Sequence, residues 1–262
     1  MIKSIKPKIS IFTILTFILI FFSSCKITDE EMTAGLLLTF DDRNMLHWEK
    51  QILLFEKYDA HVTFFVDHFD ELTTAQLEAL QKLKNAGHAI GCHGLRHLKA
   101  TEYSEKYSIE KYISDEIAPA IESMNIKGFF PTSFAYPSCN RNEKTDNELL
   151  KYFRHLRGGW PIEGEISKTE RCFTKVEDVH KRGMIDGASF HPKSKSDELV
   201  SQAKEAIDRI SKNGELLVLY AHDIRNESED GPKHFITIDA LEEILLYSKV
   251  NHVKLYSYDE LP

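Results

Sequence analysis

From residue 35 onwards the sequence alternates short apolar runs with amphipathic segments, and this alternation constrains the fold more than any other feature. Runs such as residues 35–40 and 61–66 are typical of strands that are buried on both faces. Leucines at helical spacing within residues 73–85 predict an amphipathic helix with a threonine start and a glycine stop. Repeated strand–helix units imply parallel strands with right-handed crossovers, and therefore either an open doubly wound sheet or a barrel.

The same patterns predict the remaining elements and a single domain. Further strands are expected at residues 89–92, 133–137, 155–158, 187–190, 215–220 and 253–256. Further helices are expected at residues 108–124, 144–152, 197–212 and 238–248. Pro119 should break or kink the first of these helices. No segment after residue 35 has the length and composition of an interdomain linker.

The N-terminal segment has the features of an export signal. Lys3, Lys6 and Lys8 precede an apolar run at residues 11–22, and two serines then precede Cys25. This small–small–cysteine ending resembles a bacterial lipobox, in which the cysteine becomes the lipidated N-terminus. The alternative is an uncleaved membrane anchor, because the uncharged run is just long enough to cross a bilayer.

These features predict the organisation and location of the chain. A lipoprotein-type signal peptide would occupy residues 1–25, a short linker residues 26–34, and one large domain residues 35–262. Lipidated Cys25 would anchor an exported protein of the bacterial cell envelope, on the outer membrane or on a periplasmic or surface face. The signal-anchor alternative also places the domain outside the cytoplasm.

Net charge argues against nucleic acid as a partner. The full sequence has 33 basic and 41 acidic residues, and loss of the three signal-peptide lysines would leave 30 basic residues and a net charge of −11 instead of −8. Such a surface repels phosphate backbones. The sequence shows no sign of an obligate protein partner.

The cysteines that follow the signal do not form a recognisable framework. Cys92, Cys139 and Cys172 are odd in number, which excludes a complete set of disulfides, and no C-x-x-C pair indicates a zinc knuckle or redox centre. We expect buried free thiols, with a single bridge left open as the alternative.

Four short polar clusters stand at the ends of predicted strands. They are Asp41-Asp42, Cys92-His93 with His97, residues 138–141, and His222-Asp223. The carboxyl ends of barrel strands open on one face, so these clusters are expected to meet there. Two imidazoles and one carboxylate with an open position form the ligand set of a catalytic metal site. A second carboxylate and a further histidine can then take and give a proton.

The order and spacing of these clusters resemble the motifs of the polysaccharide deacetylases, the NodB-homology family (carbohydrate esterase family four). The resemblance covers about residues 36–261. It rests on Thr39-Phe40-Asp41-Asp42, on residues 87–97, and on Leu219-Tyr220-Ala221-His222-Asp223. The resemblance implies an α/β fold, a distorted (β/α)7-type barrel.

The resemblance also implies a role for each polar residue. Asp41 would be the general base and His222 the general acid. Asp42, His93 and His97 would bind a divalent metal, with zinc favoured by ligand type and Co²⁺, Ni²⁺ or Mn²⁺ also suited. The usual reaction of the family removes N-acetyl groups from N-acetylglucosamine units of a polysaccharide and releases acetate. This is hydrolysis of a linear amide, a carbon–nitrogen bond other than a peptide bond.

The third motif departs from the usual form of the family. Ala135 occupies the position of an arginine that ordinarily holds the base, and Ser138 occupies that of a tyrosine. Arg141 and Arg157 are the nearby candidates to orient Asp41 instead.

Further departures concern the substrate side of the site. Trp160 resembles the aromatic wall of the fourth motif, with a packing tryptophan as the alternative. Tyr136 and Ser138 are further candidates for substrate contact, and Tyr136 belongs either to the core or to the rim. Ala221 replaces the usual leucine and predicts a wider acetyl groove or a different acyl group. The fourth motif offers no obvious aspartate partner for His222.

Two other functions are compatible with these motifs. The same site can attack an ester, so an O-acetyl esterase acting on acetylated xylan or another glycan is the first alternative. A glycan-binding lipoprotein that has lost turnover is the second, and the altered third motif is its basis. The presence of the base, all three ligands and the acid favours an enzyme.

Overall fold

The computed structural model describes residues 32–160 and 164–262, so the predicted signal peptide, Cys25 and most of the predicted linker lie outside the described residues. The strands are β1 (Gly35–Asp41), β2 (Thr63–Val66), β3 (Ala89–Cys92), β4 (Ser133–Ala135), β5 (His155–Trp160), β6 (Phe173–Lys175), β7 (Met184–Ser189), β8 (Glu215–Ala221), β9 (Asp223–Ile224), β10 (Phe235–Ile236) and β11 (Lys254–Leu255). The α-helices are α1 (Met45–Trp48), α2 (Ile52–Lys57), α3 (Thr74–Asn85), α4 (Ala100–Lys106), α5 (Ile109–Tyr112), α6 (Ala118–Ile126), α7 (Glu143–Leu149), α8 (Val179–Arg182), α9 (Glu198–Asn213) and α10 (Ile238–Val250). Within these two stretches of chain, no helix is both long enough and apolar enough to cross a membrane.

Seven strands close into a parallel barrel. Their order is β1-β2-β3-β4-β5-β7-β8, and β8 pairs back onto β1. Outside the ring, β11 adds in parallel to the first residues of β1, and β6 pairs antiparallel with β8. Closure excludes the open doubly wound sheet and confirms the predicted distorted (β/α)7-type barrel.

The closed sheet separates two apolar layers. Along β1, Leu36 and Leu38 belong to the layer between the strands and the helices, whereas Leu37 belongs to a second cluster. Phe65 of β2 and Val218 of β8 join that second cluster, which therefore fills the inside of the barrel. Because side chains alternate along a strand, the last residue of β1 also points inward. The inside of the barrel is thus apolar below the point where the polar clusters begin.

Local signals fix the ends of the long helices. Thr73 and Gln76 form a capping box at the start of α3. The Asp197 side chain accepts a hydrogen bond from the backbone N–H of Leu199 at the start of α9, which ends before Gly214 at a φ of 66°. Both helices lie within one residue of their predicted bounds because these caps are legible in the sequence.

The predicted helix at residues 108–124 is interrupted. A π-helical turn, Ile113–Ile117, separates α5 from α6, and Pro119 lies in the first turn of α6. A proline cannot donate to the carbonyl four residues earlier and clashes with it, so a wider turn relieves the contact. The strands β6, β9 and β10 are not predicted, because two or three residues are too few to show a period.

The three cysteines among the described residues are free thiols, and no disulfide joins any two of them. Cys92 and Cys172 are buried, and Cys139 is partly exposed. Burial raises the pKa of Cys92 and Cys172 to about 12, so both stay protonated at neutral pH.

His88, in the Gly-His pair before β3, is a structural residue. Its ring packs edge-on against Phe55 and Phe64, with centroid distances of 5.0 and 5.6 Å. The backbone N–H of Val62 donates to its Nδ1 at 3.3 Å. Burial, with a smaller effect of His61, lowers the pKa of His88 from 6.5 to about 4, so the ring is neutral at pH 7.

We expect His88 to make the fold acid-sensitive. Its pKa is depressed in the folded chain, so its contribution to stability is complete above pH 6.5 and is lost as the pH falls towards 4. The shift corresponds to about 3 kcal/mol of unfolding free energy. Urea unfolding at neutral pH and at about pH 4.5 should show a weaker acid destabilisation in His88→Phe than in the parent.

The exposed His252 provides the control for this measurement. A His252→Asn variant should show the parent's pH dependence in full. Equal acid destabilisation of His88→Phe and the parent would contradict the expectation.

Candidate active site

Asp42, His93 and His97 lie together at the carboxyl end of the barrel. Asp42 follows β1, His93 follows β3, and His97 lies in the loop before α4. One donor atom from each residue lies within 4.8 Å of the others. Asp42 Oδ1 is 3.7 Å from His93 Nε2 and 3.8 Å from His97 Nε2. These separations are too long for hydrogen bonds.

The spacing of the three residues fits a shared divalent cation. Ligand atoms that bind zinc tetrahedrally at about 2.0–2.2 Å stand about 3.3–3.6 Å from one another. The separations between Asp42 and the two imidazoles exceed that range only slightly. The three side chains therefore form a candidate metal site, with donor types that suit zinc and its first-row neighbours.

His93 is held in the tautomer that a metal ligand requires. Its Nδ1 is 2.8 Å from the backbone oxygen of Ala135. A carbonyl only accepts, so Nδ1 carries the hydrogen and Nε2 keeps its lone pair towards Asp42. Burial lowers the pKa of His93 to about 4, so the ring is neutral at pH 7.

The turn that carries His97 is organised by a buried carboxylate. Glu116, in the π-helical turn before α6, is fully buried and accepts backbone N–H bonds from Arg96 and Leu98, each at 2.9 Å. Gly94 has a φ of 86°, and a Cβ at that position would collide with the Glu116 carboxylate. The residues on both sides of His97 are therefore fixed by one side chain.

Two of the three candidate ligands have strained backbones. Asp42 and His97 have φ angles of 78° and 57°, in the left-handed region that costs a residue with a side chain about 1–2 kcal/mol. A hydrogen bond from Asp42 N to Phe65 O at 3.1 Å holds the first of them. Strain of this kind is concentrated at functional sites, where the surrounding structure maintains it.

Asp41 is held inside the barrel by Arg157. The arginine is fully buried, its guanidinium lies 4.7 Å from the Tyr220 ring centroid, and its Nη2 donates to Asp41 Oδ2. Burial alone would raise the pKa of Asp41, but the charges of Arg157, His93 and the other neighbours outweigh it and keep the pKa below its ordinary value. The second carboxylate oxygen, Oδ1, is buried and has no hydrogen-bond partner among the described residues. It is available to accept a proton.

The strand register explains how Arg157 reaches this position. Arg157 of β5 is paired directly with Ala135 of β4, the residue at the usual arginine position of the third motif. Of the two arginines that the sequence offered, Arg141 is engaged elsewhere. Its Nε donates to Asp146 Oδ1 at 2.9 Å, and a second ion pair joins it to Asp186 at 3.6 Å.

His222 faces the candidate metal site from the end of β8. Its Nε2 is 4.0 Å from Asp42 Oδ2. The indole N–H of Trp48 donates to the backbone oxygen of His222 at 2.8 Å and fixes the main chain. The structure thus brings the predicted acid, base and ligands to one place.

His191 is a residue of the site that the sequence motifs did not predict. Its Nε2 is 2.8 Å from His222 Nδ1, and its Nδ1 is 3.1 Å from the Ser189 hydroxyl. Its position in the sequence could have indicated a place in the site, because it lies two residues beyond the end of β7, on the face where the other clusters lie.

A cleft of about 560 Å³ opens above these residues. Its walls include the predicted base, the candidate ligands, the predicted acid and all three predicted substrate contacts, and Tyr220, Pro232 and His234 also line it. Trp160 both packs against the core and lines the cleft, with the Arg171 guanidinium 3.7 Å from its ring centroid. Tyr136 is fully buried against Phe134, and Ser138 is exposed.

The predicted effect of Ala221 on the acetyl groove was wrong. Ala221 is buried in the layer outside the barrel, and its neighbour Tyr220 lines the cleft instead. Successive side chains of a strand point to opposite faces, so the residue directly before the turn to His222 points away from the site.

Comparison with known proteins agrees with the motifs. The sequence model of the family described as polysaccharide deacetylase matches residues 30–153, which include the predicted base and all three candidate ligands. This match agrees with the resemblance to the polysaccharide deacetylases that the motifs carry. No curated protein sequence matches the chain.

Solved structures share the fold. The chitin deacetylase of the fungal pathogen Colletotrichum lindemuthianum has a TM-score of 0.55 at 15% identity, over 88% of each chain. The catalytic domain of a peptidoglycan N-acetylglucosamine deacetylase from Eubacterium rectale has a TM-score of 0.53 at 17% identity, over 88% of this chain and 91% of that one. A Streptococcus mutans carbohydrate esterase of family four has a TM-score of 0.53 at 17% identity, over 87% of both chains. At these identities the likeness establishes the barrel fold alone.

We expect Glu116 to control metal affinity through the His97 turn. A Glu116→Ala variant leaves the backbone N–H groups of Arg96 and Leu98 without their acceptor, and loss of such a supporting contact weakens metal binding by about 10–100-fold. Glu116→Gln keeps one acceptor oxygen, so its zinc affinity should lie between those of Glu116→Ala and the parent. Competition with a chromogenic chelator measures the zinc dissociation constants directly.

Asp115 is the matched control, because it lies in the same π-helical turn but contacts Lys111 and Tyr103. Asp115→Asn should bind zinc as the parent does. A Glu116→Ala protein that is folded by circular dichroism and binds zinc with unchanged affinity would show that the turn does not need this carboxylate.

Proposed function

We propose that this chain is a metal-dependent hydrolase that removes N-acetyl groups from an N-acetylglucosamine-containing polysaccharide or cell-wall glycan. One observation carries the proposal. A buried carboxylate with a free oxygen, an Asp–His–His cluster and a further histidine all open on the same cleft. These are the groups that hydrolysis of an amide requires.

The residues of the chain have distinct roles in the proposed reaction. A divalent metal held by Asp42, His93 and His97 supplies Lewis-acid polarisation of the acetyl carbonyl. Asp41 Oδ1 takes a proton from the attacking water as the new carbon–oxygen bond forms. His222 Nε2 gives a proton to the sugar nitrogen as the carbon–nitrogen bond breaks, so the products are acetate and a free amine.

Zinc is the proposed metal, with Co²⁺, Ni²⁺ or Mn²⁺ as substitutes. Support comes from the donor set, because two imidazoles and one carboxylate with an open position are typical of catalytic zinc sites. His93 is already neutral and correctly oriented through the Ala135 carbonyl, so binding requires little rearrangement.

The lining of the cleft supports a glycan as substrate. Trp160 presents a partly exposed ring that Arg171 supports, and an aromatic face of this kind can stack on the apolar face of a sugar. Ser138 and Tyr220 add hydroxyl groups beside it. Chitin and peptidoglycan are substrates named for proteins of similar fold, which favours an N-acetylated amino sugar here as well.

We also propose export and anchoring at the cell envelope through lipidated Cys25. The support is the basic segment, the apolar run at residues 11–22 and the small residues before Cys25. Palmitate labelling in a bacterial host that is lost in Cys25→Ser would support this anchoring. Equal labelling of both proteins would refute it.

An acetate-release screen combined with metal analysis tests the proposed activity. Zinc-loaded protein should release acetate from chitin oligosaccharides or peptidoglycan more rapidly than from acetylated xylan. His93→Ala should lose both metal and turnover. Asp41→Asn should keep the metal and lose turnover by at least about 100-fold, because only the base is removed.

Other results of the screen point to the alternatives. Acetate from acetylated xylan without release from any N-acetylated glycan identifies an O-acetyl esterase. Metal-loaded protein that releases no acetate from either class, and binds glycan equally well as Asp41→Asn, identifies a binding protein.

Arg157 should be required for turnover and Arg141 should not. Arg157→Gln removes the charge that holds Asp41, and breaking one partner of a buried ion pair costs about 3–5 kcal/mol of stability. We expect turnover to fall by at least about 100-fold in the fraction that folds. Near-ultraviolet circular dichroism and zinc binding report that fraction.

Arg141→Gln is the matched substitution at the arginine that contacts Asp146 and Asp186. It should reduce turnover by less than about fivefold. Folded, zinc-binding Arg157→Gln with the parent's turnover would show that Asp41 needs no cationic partner.

A further inference from the structure

The candidate acid His222 is oriented by a second histidine. His222 Nδ1 and His191 Nε2 are 2.8 Å apart, and the two rings meet edge to edge with centroids 5.0 Å apart and planes 29° apart. The other ring nitrogen, Nε2, faces the candidate metal site. The orientation of the acid in the cleft therefore depends on an imidazole.

The carboxylates that could otherwise serve this purpose are engaged elsewhere. Asp223, the next residue along the chain, is fully buried and contacts His47 Nδ1 at 2.9 Å. Asp186 pairs with Arg141 and Arg171, at 3.6 and 3.5 Å. Neither carboxylate has a hydrogen bond to His222 among the described contacts. His191 fills the position instead.

The barrel register places the two histidines side by side. Ser189 of β7 is paired with Tyr220 of β8, and each histidine lies two residues beyond its member of this pair. A backbone hydrogen bond from Phe190 N to Tyr220 O at 2.8 Å extends the pairing past the last register partners. The contact between the rings therefore follows from the sheet and does not depend on a flexible loop.

The direction of the contact follows from the hydrogen on His222 Nδ1, which His191 Nε2 must then accept. Two imidazoles can bond only if one of the facing nitrogens is bare. Ser189 Oγ lies 3.1 Å from His191 Nδ1 and can accept its hydrogen, which leaves Nε2 bare towards His222. Burial, with smaller effects of His222, His234 and Lys193, lowers the pKa of His191 to about 3, so the ring is neutral and able to accept.

We propose that His191 is a positioning residue for proton donation, which accepts the Nδ1 hydrogen of His222 and aims its Nε2 hydrogen at the leaving group. This inference rests on the proposed function. When the carbon–nitrogen bond breaks, the Nε2 proton of His222 moves to the sugar nitrogen. The Nδ1 hydrogen stays on His222 and remains hydrogen-bonded to His191. His191 itself gains and loses nothing in the step.

A pair of variants separates this role from a packing role. His191→Phe keeps an aromatic ring at this position and removes the acceptor. His191→Gln places a carbonyl oxygen close to the position of Nε2 and keeps an acceptor. Each protein is assayed on an N-acetylated chitin oligosaccharide and on 4-nitrophenyl acetate, whose phenolate leaves without being protonated.

The expected result is a split between the two substrates. On the oligosaccharide, kcat of His191→Phe should fall by about 10–100-fold while KM changes by less than about twofold. On 4-nitrophenyl acetate the loss should stay below about threefold, because the acid is not needed. His191→Gln should recover most of the oligosaccharide activity. Asp41→Asn should lose both activities, and the exposed-site variant His252→Asn neither.

Two kinetic outcomes would overturn the inference. The first is His191→Phe with the parent's kcat on the oligosaccharide. The second is a parallel loss on both substrates, since this indicates a general disturbance of the site or a nucleophilic role for the Ser189–His191 pair.

A structural readout keeps the inference distinguishable from the proposed function. In nitrogen-15 histidine spectra of zinc-loaded protein, a hydrogen-bonded Nδ1–H signal of His222 should be present in the parent and in His191→Gln and absent in His191→Phe. If the parent releases no acetate from any glycan, the proposed function fails. An Nδ1–H signal that is unchanged in His191→Phe then refutes the pairing on its own.

Discussion

The ion pair between Arg157 and Asp41 is the interaction on which the rest of the site depends. It lies inside a closed barrel whose lower interior is apolar, so the fully buried Arg157 cannot turn to solvent. Breaking such a pair costs more than its formation contributes, because a charge is left buried alone. The pair keeps Asp41 ionised and occupies only one of its oxygens. It also fixes the end of β1, from which Asp42 turns outward with its left-handed backbone.

Each remaining group is held by a partner from a different element. The Ala135 carbonyl orients His93, Glu116 fixes the turn of His97, and the Trp48 indole fixes the main chain of His222. Each of these partners is distant in the sequence from the group that it holds. The site is therefore preorganised by the tertiary structure, which spares the reaction the cost of ordering its own groups.

The sequence was sufficient for the longer strands and helices and for the grouping of the candidate site residues. The buried strands and the capped helices α3 and α9 were predicted because their periods and caps are local properties. The choice between Arg141 and Arg157 could not be predicted, since it depends on which residues of β4 and β5 are paired. The same applies to His191, whose partner becomes visible only when β7 and β8 are aligned. Ala221 was misjudged because the face to which a strand residue points is set by the parity of the whole strand.

The pairing of Ala135 with Arg157 has a consequence for how such a site can change during evolution. Neighbouring strands are about 4.8 Å apart, so an arginine on either one can deliver its guanidinium to nearly the same point. An intermediate that carried both arginines would keep the carboxylate neutralised while one of the two was lost. The arginine that neutralises Asp41 can therefore change from one strand to the next without passing through an inactive ancestor. A position-by-position alignment would record that change as the loss of an essential residue.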